Sequence, residues 1–375
     1  MRTAGYKLLW GSFFIVSSVI CSSASLVLWG SGPGTNAPPE ASNSVAVAAG
    51  SSHCLALLPD STVIAWGNNS YFQTNVPEGL SNVVAVSGGF YHSMALKSDG
   101  SVTAWGRNTH LQSTVPEDLS NVVAIAAGGE HSLALLTNGT VINWGKYYDD
   151  NAGVYLVKSM PVDRTNIIAI AAGSDHDLLL KADGTVSSWG LNADGQADVP
   201  LDLSNVVAIA CGGYHSIALT SDGKVVSWGR NNKAQTDIPP GVSNLVAIAA
   251  GYEHNLGVTS NRTLLAWGAG LDGQKAFPEG ISNVLAVAAG VSHSAALVDD
   301  GIAPLPFSVE NPVYANDIFT VSVKTRIGKE YRLEYKDDLS DTDWTPLPSQ
   351  PGDGNTINLN GPGTAPKRFF RVREL

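Results

Sequence analysis

The chain has 375 residues, of which 44% are hydrophobic and 15% are charged, and 39 of them are glycines. This composition is typical of a well-packed, turn-rich globular protein and excludes a disordered chain. Residues 26–306 contain 23 acidic and 11 basic residues and therefore carry a net charge of −12. Such a surface repels phosphate backbones, so we expect no nucleic-acid partner.

Residues 1–25 have the pattern of a secretory signal peptide. Two cations, Arg2 and Lys7, precede or flank an apolar run, Leu8–Ile20, and small residues follow it. Cleavage near residues 24–25 would release a chain that begins at Leu26 and is secreted or exposed at the cell envelope. Cys21 raises the alternative of a lipid anchor, which the bulky residue before it disfavours. The apolar run is too short for a transmembrane helix, and no other stretch qualifies.

A Trp-Gly pair recurs through the next 240 or so residues at intervals of mostly 39 residues. The pairs begin at Trp29, Trp66, Trp105, Trp144, Trp189, Trp228 and Trp267. A histidine lies thirteen residues before each of the last six pairs, namely His53, His92, His131, His176, His215 and His254. His293 is a seventh histidine of this set, but no Trp-Gly follows it. Because Trp29 lacks a histidine and His293 lacks a Trp-Gly, the two half-units complete each other, which predicts a closed ring of seven units.

Each unit predicts three short strands and has room for a fourth. In residues 116–145, an apolar run of strand length, Asn121–Ala127, is followed by the alternating segment His131–Leu135. Asn138-Gly139 favours a tight hairpin turn, and the next strand ends at Trp144-Gly145. A period near 40 residues built from short antiparallel strands predicts a propeller blade. The strand at Trp29 would join the last blade and leave no exposed edge.

The repeat resembles that of a known family. The stretch Gly212-Gly-Tyr-His215-Ser-Ile-Ala-Leu-Thr-Ser-Asp222-Gly-Lys-Val-Val-Ser-Trp228-Gly-Arg-Asn231 resembles the regulator-of-chromosome-condensation (RCC1) repeat, and the resemblance extends over residues 26–306. It implies an all-β, seven-bladed propeller of the RCC1 type, here in a secreted, bacterial-type member with short repeats. The eukaryotic founder is a nuclear exchange factor for a small GTPase and binds chromatin. Nucleotide exchange is therefore an alternative function, which the signal pattern, the acidic charge and the short units disfavour.

The repeated histidines and tryptophans are interpreted as scaffold. A ring of imidazoles is an alternative metal site or pH sensor, but a residue that recurs beside the same glycine in every unit is most simply a packing and hydrogen-bonding element. Ligands of one metal ion must also lie about 2 Å from it, and equivalent positions of separate blades are too far apart for this. Cys54 and Cys211 occupy different repeat positions, so we expect two buried thiols and no disulfide. We predict no metal and no cofactor.

If repeated positions build the scaffold, function should lie where the units differ. The two residues between the glycine and the histidine vary from unit to unit, and all seven pairs should fall in equivalent turns on one face of the ring. Aromatic and acidic residues there form a candidate recognition surface for a protein or glycan. These candidates are Phe90, Tyr91, Glu130, Asp175, Tyr214, Tyr252 and Glu253. The alternative is that they are ordinary solvated turn residues.

A second candidate is the insertion at residues 146–155, where one interval is six residues longer than the others. We expect a protruding loop in which Tyr147, Tyr148, Asp149 and Asp150 contact a partner, together with Tyr155. Calcium binding by the acidic residues is an alternative, although the spacing and closing glutamate of a calcium loop are missing. A surface insertion without a role is another.

No catalytic motif is apparent in the sequence, so we predict a monomeric binding scaffold without catalysis. Carboxylates from different blades, such as Asp150 and Asp175, could still converge as in glycoside hydrolases, and a carbohydrate-active enzyme is therefore the main alternative.

The repeat stops after residue 306, and residues 307–375 predict a second, small domain. Five short strands are expected at residues 318–324, 331–336, 344–347, 356–359 and 368–373, separated by Asp, Pro and Gly turns. This pattern predicts an all-β, sandwich-like domain. It resembles the C-terminal β-modules of many secreted bacterial proteins, which implies attachment or partner contact, with a purely structural cap as the alternative.

Overall fold

The computed structural model describes residues 24–149, 153–156, 160 and 166–299, and, nearer the C-terminus, residues 309–315, 318–324, 330–336, 345–351, 356–362 and 369–374. The predicted signal peptide up to residue 23, Cys21 and Asp150 lie outside these ranges. The chain divides into two compact units, Met1–Ile302 and Ala303–Leu375.

The described part of the first unit is built from β-strands and two short 3-10 helices, Pro33–Thr35 and Pro39–Asn43. Seven three-stranded antiparallel sheets follow one another, and we number them blades 1 to 7 by their first strands. The first, inner strands are Ala46–Ala49, Val83–Gly88, Val122–Ala127, Ile167–Ala172, Val206–Cys211, Leu245–Ala250 and Val284–Ala289. The middle strands are His53–Leu57, His92–Lys97, His131–Leu136, His176–Lys181, His215–Thr220, His254–Thr259 and His293–Asp299. The outer strands are Val63–Gly67, Val102–Gly106, Val141–Gly145, Val186–Gly190, Val225–Gly229, Leu264–Gly268 and, for blade 7, Ala24–Gly30.

The inner strands form a closed ring. Each one contacts the inner strand of the next blade, and Val284–Ala289 of blade 7 contacts Ala46–Ala49 of blade 1. The ring is closed by the N-terminal strand, because Ala24–Gly30 pairs along its whole length with the middle strand of blade 7, from Ala24 opposite Asp299 to Gly30 opposite His293. The predicted complementation of the two half-units is therefore confirmed. The predicted room for a fourth strand is filled by turns. Residues 68–82, for example, which follow the outer strand of blade 1, contain no strand.

The core lies between neighbouring blades. Leu133 and Leu135 of blade 3, for example, pack against Ile170, Leu179 and Trp189 of blade 4. The alternating middle strands thus bury one face against the preceding blade and the other against the following one, as strands of stacked sheets do. An asparagine in the left-handed conformation precedes most inner strands, with φ of 53° to 57°. Asparagine tolerates this conformation better than most residues, which accounts for the repeated Asn before each apolar run.

The insertion after blade 3 forms a two-stranded hairpin, Tyr147–Asp149 paired with Val154–Leu156. The part of the chain that the structure describes contains no helix of the length and apolarity that a membrane crossing requires.

The second unit contains two antiparallel sheets. One sheet consists of Val309–Ala315, Ile318–Lys324 and Thr356–Pro362. In the other, Glu330–Lys336 pairs with Thr345–Pro346, Gln350–Pro351 and Phe369–Glu374. The two sheets contact each other through Glu330–Lys336 and Thr356–Pro362, and Tyr331, Leu333 and Leu359 are buried. Strands occur in all five segments for which the sequence predicts them.

Candidate functional site

The turns between inner and middle strands all lie on one face of the ring, which we call the upper face. In each blade the histidine that opens the middle strand pairs with the glycine of Trp-Gly, as His92 does with Gly106. The end of the outer strand and the loop that follows it therefore lie beside the same turn. The upper face thus combines the seven Gly-x-x-His turns with the loops that follow Trp-Gly.

The histidines tie each blade to the next. In blade 2, for example, His92 Nε2 lies 2.9 Å from Ser132 Oγ of blade 3. The seven pairs are His53–Ser93, His92–Ser132, His131–Asp177, His176–Ser216, His215–Asn255, His254–Ser294 and His293–Cys54, with distances of 2.8 to 3.1 Å. Because Ser132 Oγ donates its own hydrogen to the carbonyl of Gln112, it accepts one from the imidazole. The prediction that these histidines are hydrogen-bonding elements of the scaffold is confirmed.

The glycine of each turn is required by this arrangement. A Cβ on Gly212 would lie 2.2 Å from Cε1 of His215 and 2.6 Å from the carbonyl oxygen of Gly251 in the next blade. Real Cβ atoms do not approach other atoms so closely, so only glycine fits between the imidazole and the neighbouring blade. The tryptophans are buried as well, and Trp105 Nε1 donates to the carbonyl of Gln73 at 2.9 Å. The repeated residues are therefore occupied in holding the ring together.

The variable turns bring several aromatic rings together at the mouth of the central channel. Phe90 of blade 2 and Tyr252 of blade 6 have ring centroids 5.9 Å apart, so they meet across the channel and not along its rim. Tyr91 packs against Phe90 at 6.2 Å, and Tyr214 packs against Tyr252 at 5.5 Å. These two pairs lie next to a cavity of about 150 Å³ that is lined mainly by Ala, Gly and Val of the inner strands, and by Phe90 and Tyr252. Four of the predicted candidates thus form one cluster.

Three residues outside the predicted set extend this cluster. Tyr71 packs against Tyr91 with centroids 5.1 Å apart, and the guanidinium of Arg107 lies over both rings, 5.0 and 5.3 Å from their centroids. The guanidinium of Arg230 lies 4.0 Å from the centroid of Tyr214. Both arginines directly follow a Trp-Gly pair, a position that borders the variable turns and could have identified them. We call Tyr71, Phe90, Tyr91, Tyr214, Tyr252, Arg107 and Arg230 the aromatic–arginine surface.

Glu130 joins this surface to an acidic neighbourhood, but it is not a free carboxylate. Its side chain is 5% exposed, and Oε1 lies 2.5 Å from Nη1 of Arg107. Its other oxygen accepts a hydrogen bond from Gln112 and lies 3.5 Å from Nδ1 of His110. Burial raises the pKa of Glu130, and Arg107 acts in the opposite direction. Both oxygens are therefore engaged, which suits a residue that positions Arg107.

The remaining candidates lie in the hairpin of the insertion and in two of the variable turns. Asp175 is half-buried, and its Oδ1 accepts a hydrogen bond from the backbone N–H of Tyr148 at 2.5 Å. Tyr148 contacts Tyr155, which stacks on the ring of His110 with centroids 4.2 Å apart. Glu253 is half-buried in the turn of Tyr252, and its carbonyl accepts a hydrogen bond from Ala269. Asp149 belongs to the first strand of the hairpin.

Tyr147 corrects the prediction of a protruding loop. Its side chain has no exposed surface and stacks on the imidazole of His131, with centroids 3.9 Å apart. Its hydroxyl lies beside Asp177 and Trp189, and burial followed by the Asp177 carboxylate raises its pKa above the usual range. In most other units a serine hydroxyl stands in the place of the Asp177 carboxylate, and it and the indole N–H of the tryptophan both donate to the carbonyl of a loop glutamine. The insertion contains no such glutamine. Tyr147 is therefore part of the scaffold and not available to a partner.

Among the described residues, no three His, Cys, Asp or Glu side chains lie together so that they could hold a metal ion. Cys54 and Cys211 are both buried and free. Burial raises the pKa of each thiol, which keeps it protonated and unreactive.

Comparison with solved structures finds propellers. Prp20p of Saccharomyces cerevisiae is 22% identical with a TM-score of 0.63, and the match covers 77% of this chain and 94% of Prp20p. Human WBSCR16 is 22% identical with a TM-score of 0.59, covering 73% of this chain and all of that one. The CRINKLY WD40 ectodomain of the Arabidopsis thaliana receptor kinase ACR4 is 22% identical with a TM-score of 0.57, covering 72% and 94%. At these identities the likeness shows the fold alone.

Comparison with curated protein sequences finds no significant match. The profile of the regulator of chromosome condensation (RCC1) repeat, in contrast, matches six times, at residues 45–73, 83–112, 122–151, 167–196, 206–235 and 245–274. These six matches correspond to the first six Gly-x-x-His and Trp-Gly units of the ring. The chain is an RCC1-type β-propeller and belongs to the RCC1 repeat family.

Proposed function

We propose that this propeller is a secreted or cell-surface scaffold that binds a protein partner on its upper face and catalyses no reaction. The observation that carries the proposal is the aromatic–arginine surface at the mouth of the channel. Tyrosine, phenylalanine and arginine are enriched at protein interfaces, and tyrosine and arginine are among the residues that contribute most binding energy. Here they are half-exposed in one continuous cluster, whereas the repeated residues around them are buried.

The charges of the surface favour a protein over a charged glycan. Arg107 is paired with Glu130, and Arg230 Nη2 lies 2.7 Å from Oδ2 of Asp194. Both guanidinium groups are therefore neutralised and lie over tyrosine rings, 4.0 to 5.3 Å from the ring centroids, which suits stacking and hydrogen bonding. A sulfated or acidic polysaccharide would instead require unpaired cations. A neutral glycan is the second class of ligand that the aromatic rings suit, and the test below distinguishes it from a protein.

The proposed location is supported by the pattern of residues 1–25. N-terminal sequencing of the protein recovered from the producing cells tests it: cleavage near residues 24–25 is expected, and an intact Met1 would contradict secretion.

The alternative functions have less support. A glycoside hydrolase needs one carboxylic acid that is free to protonate the leaving group, but both oxygens of Glu130 are bonded and Oδ1 of Asp175 accepts the backbone N–H of Tyr148. Prp20p is described as binding Gsp1p and histones, but these are partners of that protein, and at 22% identity the likeness shows only the fold.

The test compares the full chain with a variant in which Phe90, Tyr91, Tyr214 and Tyr252 are changed to Ala. Both are immobilised and exposed to surface extracts of the producing cells and to polysaccharide arrays. Because truncation of a single hot-spot residue costs about 2 kcal/mol or more, we expect the wild type to retain a protein that the variant retains at least about tenfold less. A control variant carries Ala at exposed Val84 and Leu201.

Melting temperatures show whether the variants remain folded. Retention by the folded quadruple variant equal to that of the wild type would contradict the assignment of the surface. Binding of a polysaccharide without any protein would contradict the assigned ligand class.

A further inference from the structure

Two large apolar residues on the upper face are held in a conformation that does not suit them. The residue before the loop glutamine has a positive φ in five loops: Phe72 at 63°, Leu111 at 66°, Gly195 at 78°, Ala234 at 59° and Gly273 at 77°. Two of these loops use glycine, which adopts this conformation without strain. Bulky side chains rarely do, because Cβ crowds the backbone. Phe72 and Leu111 are therefore less favourable than glycine for the loop itself.

Burial does not offset this strain. The side chain of Phe72 is 67% exposed and that of Leu111 is 58% exposed. Each residue therefore combines an unfavourable backbone conformation with an apolar side chain in water, and neither property stabilises the free protein. Strained residues of this kind occur most often where a ligand is held.

The two residues belong to neighbouring loops that are joined by the aromatic–arginine surface. Phe72 follows Tyr71 in the loop between blades 1 and 2, and Leu111 lies in the loop between blades 2 and 3 that also carries Arg107. Since the guanidinium of Arg107 lies over the ring of Tyr71 at 5.0 Å, the two loops are in contact. Phe72 and Leu111 thus extend the surface outward from the channel mouth.

These loops are also free of the acidic charge that covers most of the propeller. Residues 68–75 contain no charged residue, and in residues 107–114 the only one is Arg107, which is paired with Glu130. The equivalent loops between later blades are charged, with Asp194 and Asp198 in residues 191–198, Arg230, Lys233 and Asp237 in residues 230–237, and Asp272 and Lys275 in residues 269–276. A charged partner would find complementary groups in those loops, whereas the sector of Phe72 and Leu111 offers none.

We propose that Phe72 and Leu111 are anchors that insert into an apolar pocket of a folded protein whose surrounding surface is uncharged. The inference rests on the proposed function, because it names the chemistry of the partner that the upper face binds. Projecting side chains fit a pocket, whereas a sugar ring requires a flat or concave surface. A membrane is disfavoured because the only basic residue of these two loops, Arg107, is paired with Glu130, whereas loops that bind anionic lipids carry several free cations.

The test places the photoreactive residue benzoylphenylalanine at position 72 or 111 of the full chain in the producing cells. The control position is 271, because Leu271 is 91% exposed in the equivalent loop between blades 6 and 7 and lies beside Asp272. We expect one and the same protein to be crosslinked from positions 72 and 111, and at least tenfold less from position 271. Equal crosslinking from position 271, or none from 72 and 111, would overturn the proposal.

Two glycine variants separate binding from folding. Phe72→Gly and Leu111→Gly introduce the residue that Gly195 and Gly273 already use, so the melting temperature should be unchanged or higher. Retention of the crosslinked protein should fall at least tenfold in the double variant, while Leu271→Ala retains it fully. The binding should persist from 50 to 500 mM NaCl, because it depends on apolar contact and not on charge.

Other occupants give different results. Sedimentation of the chain with phosphatidylcholine vesicles, lost in the double glycine variant, would replace the protein partner with a membrane. A dimer in light scattering, abolished by the same variant, would replace it with a second copy. If the quadruple aromatic variant loses the partner but the double glycine variant retains it, the anchors are wrong and the proposed function stands. If neither variant changes binding, both the proposed anchors and the proposed function are wrong.

Discussion

The ring of histidines should make the propeller unusually sensitive to mild acid. Burial, followed in most cases by neighbouring histidines, lowers the imidazole pKa from 6.5 to about 3 in His92, His176 and His254, and to about 4 in His53, His215 and His293. The unfolded chain therefore binds protons between pH 6.5 and 4 that the folded chain does not. Stability is fully present above pH 6.5 and is lost as the pH falls, because protonation favours the unfolded state.

The magnitude follows from the number of groups. At pH 5.5 each of six histidines is about nine-tenths protonated when unfolded, so the free energy of unfolding should fall by about 7 kcal/mol per pH unit. Since a folded domain has about 5–15 kcal/mol in total, we expect unfolding between about pH 4.5 and 6. Glu130 acts in the opposite direction, because its pKa is raised, but it is one group against six.

Urea unfolding followed by tryptophan fluorescence, at intervals between pH 5 and 7.5, measures this slope. A variant with His92→Gln, which cannot titrate, should reduce the slope by about one proton. A slope that corresponds to less than one proton between pH 5 and 6.5 would refute the conclusion that the imidazoles are buried and neutral.

Two further predictions concern single junctions of the ring. Ser132→Ala leaves the imidazole of His92 without its acceptor and should cost about 1–3 kcal/mol, measured as a lower melting temperature. Ser70→Ala removes the same hydroxyl from an exposed loop residue and should change stability by less than about 0.5 kcal/mol; equal effects would contradict the role of the ring. Cys54→Ser gives His293 the partner that four other junctions use and should raise the stability by about 0.5–1.5 kcal/mol, so a lower melting temperature would show that the thiol packs better than a hydroxyl bonds.

The fold could be predicted from the sequence because each of its features is repeated. One Gly-x-x-His turn or one Trp-Gly pair would be a weak signal. Six complete units together with one split unit indicate both the number of blades and the way in which the N-terminal strand closes the ring. The physical cause is local: each glycine, histidine and tryptophan makes the same contacts with the next blade, so a period in sequence corresponds to a period in space.

The role of Tyr147 could not be predicted, because it depends on what the insertion removes. The sequence shows extra aromatic residues after Trp144-Gly145, which suggests a protruding loop. The sequence also lacks a glutamine in residues 146–165 and has Asp177 where most other units have Ser, but only the structure places the Tyr147 hydroxyl beside that carboxylate. This contact between Tyr147 and Asp177 joins residues 30 positions apart and has no counterpart in the other units, so no repeat pattern reveals it.

The binding surface depends on a similar break in the repeat. Blades 1 and 7 separate blade 2 from blade 6, and their variable turns carry only Ser51-Ser52 and Val291-Ser292. Because no large side chain projects from these turns, Phe90 and Tyr252 can meet across the channel mouth. Larger residues at these turns would separate the two rings and divide the aromatic–arginine surface into two parts. The small turns of blades 1 and 7 therefore belong to the physical basis of the proposed site, although they supply no aromatic side chain to it.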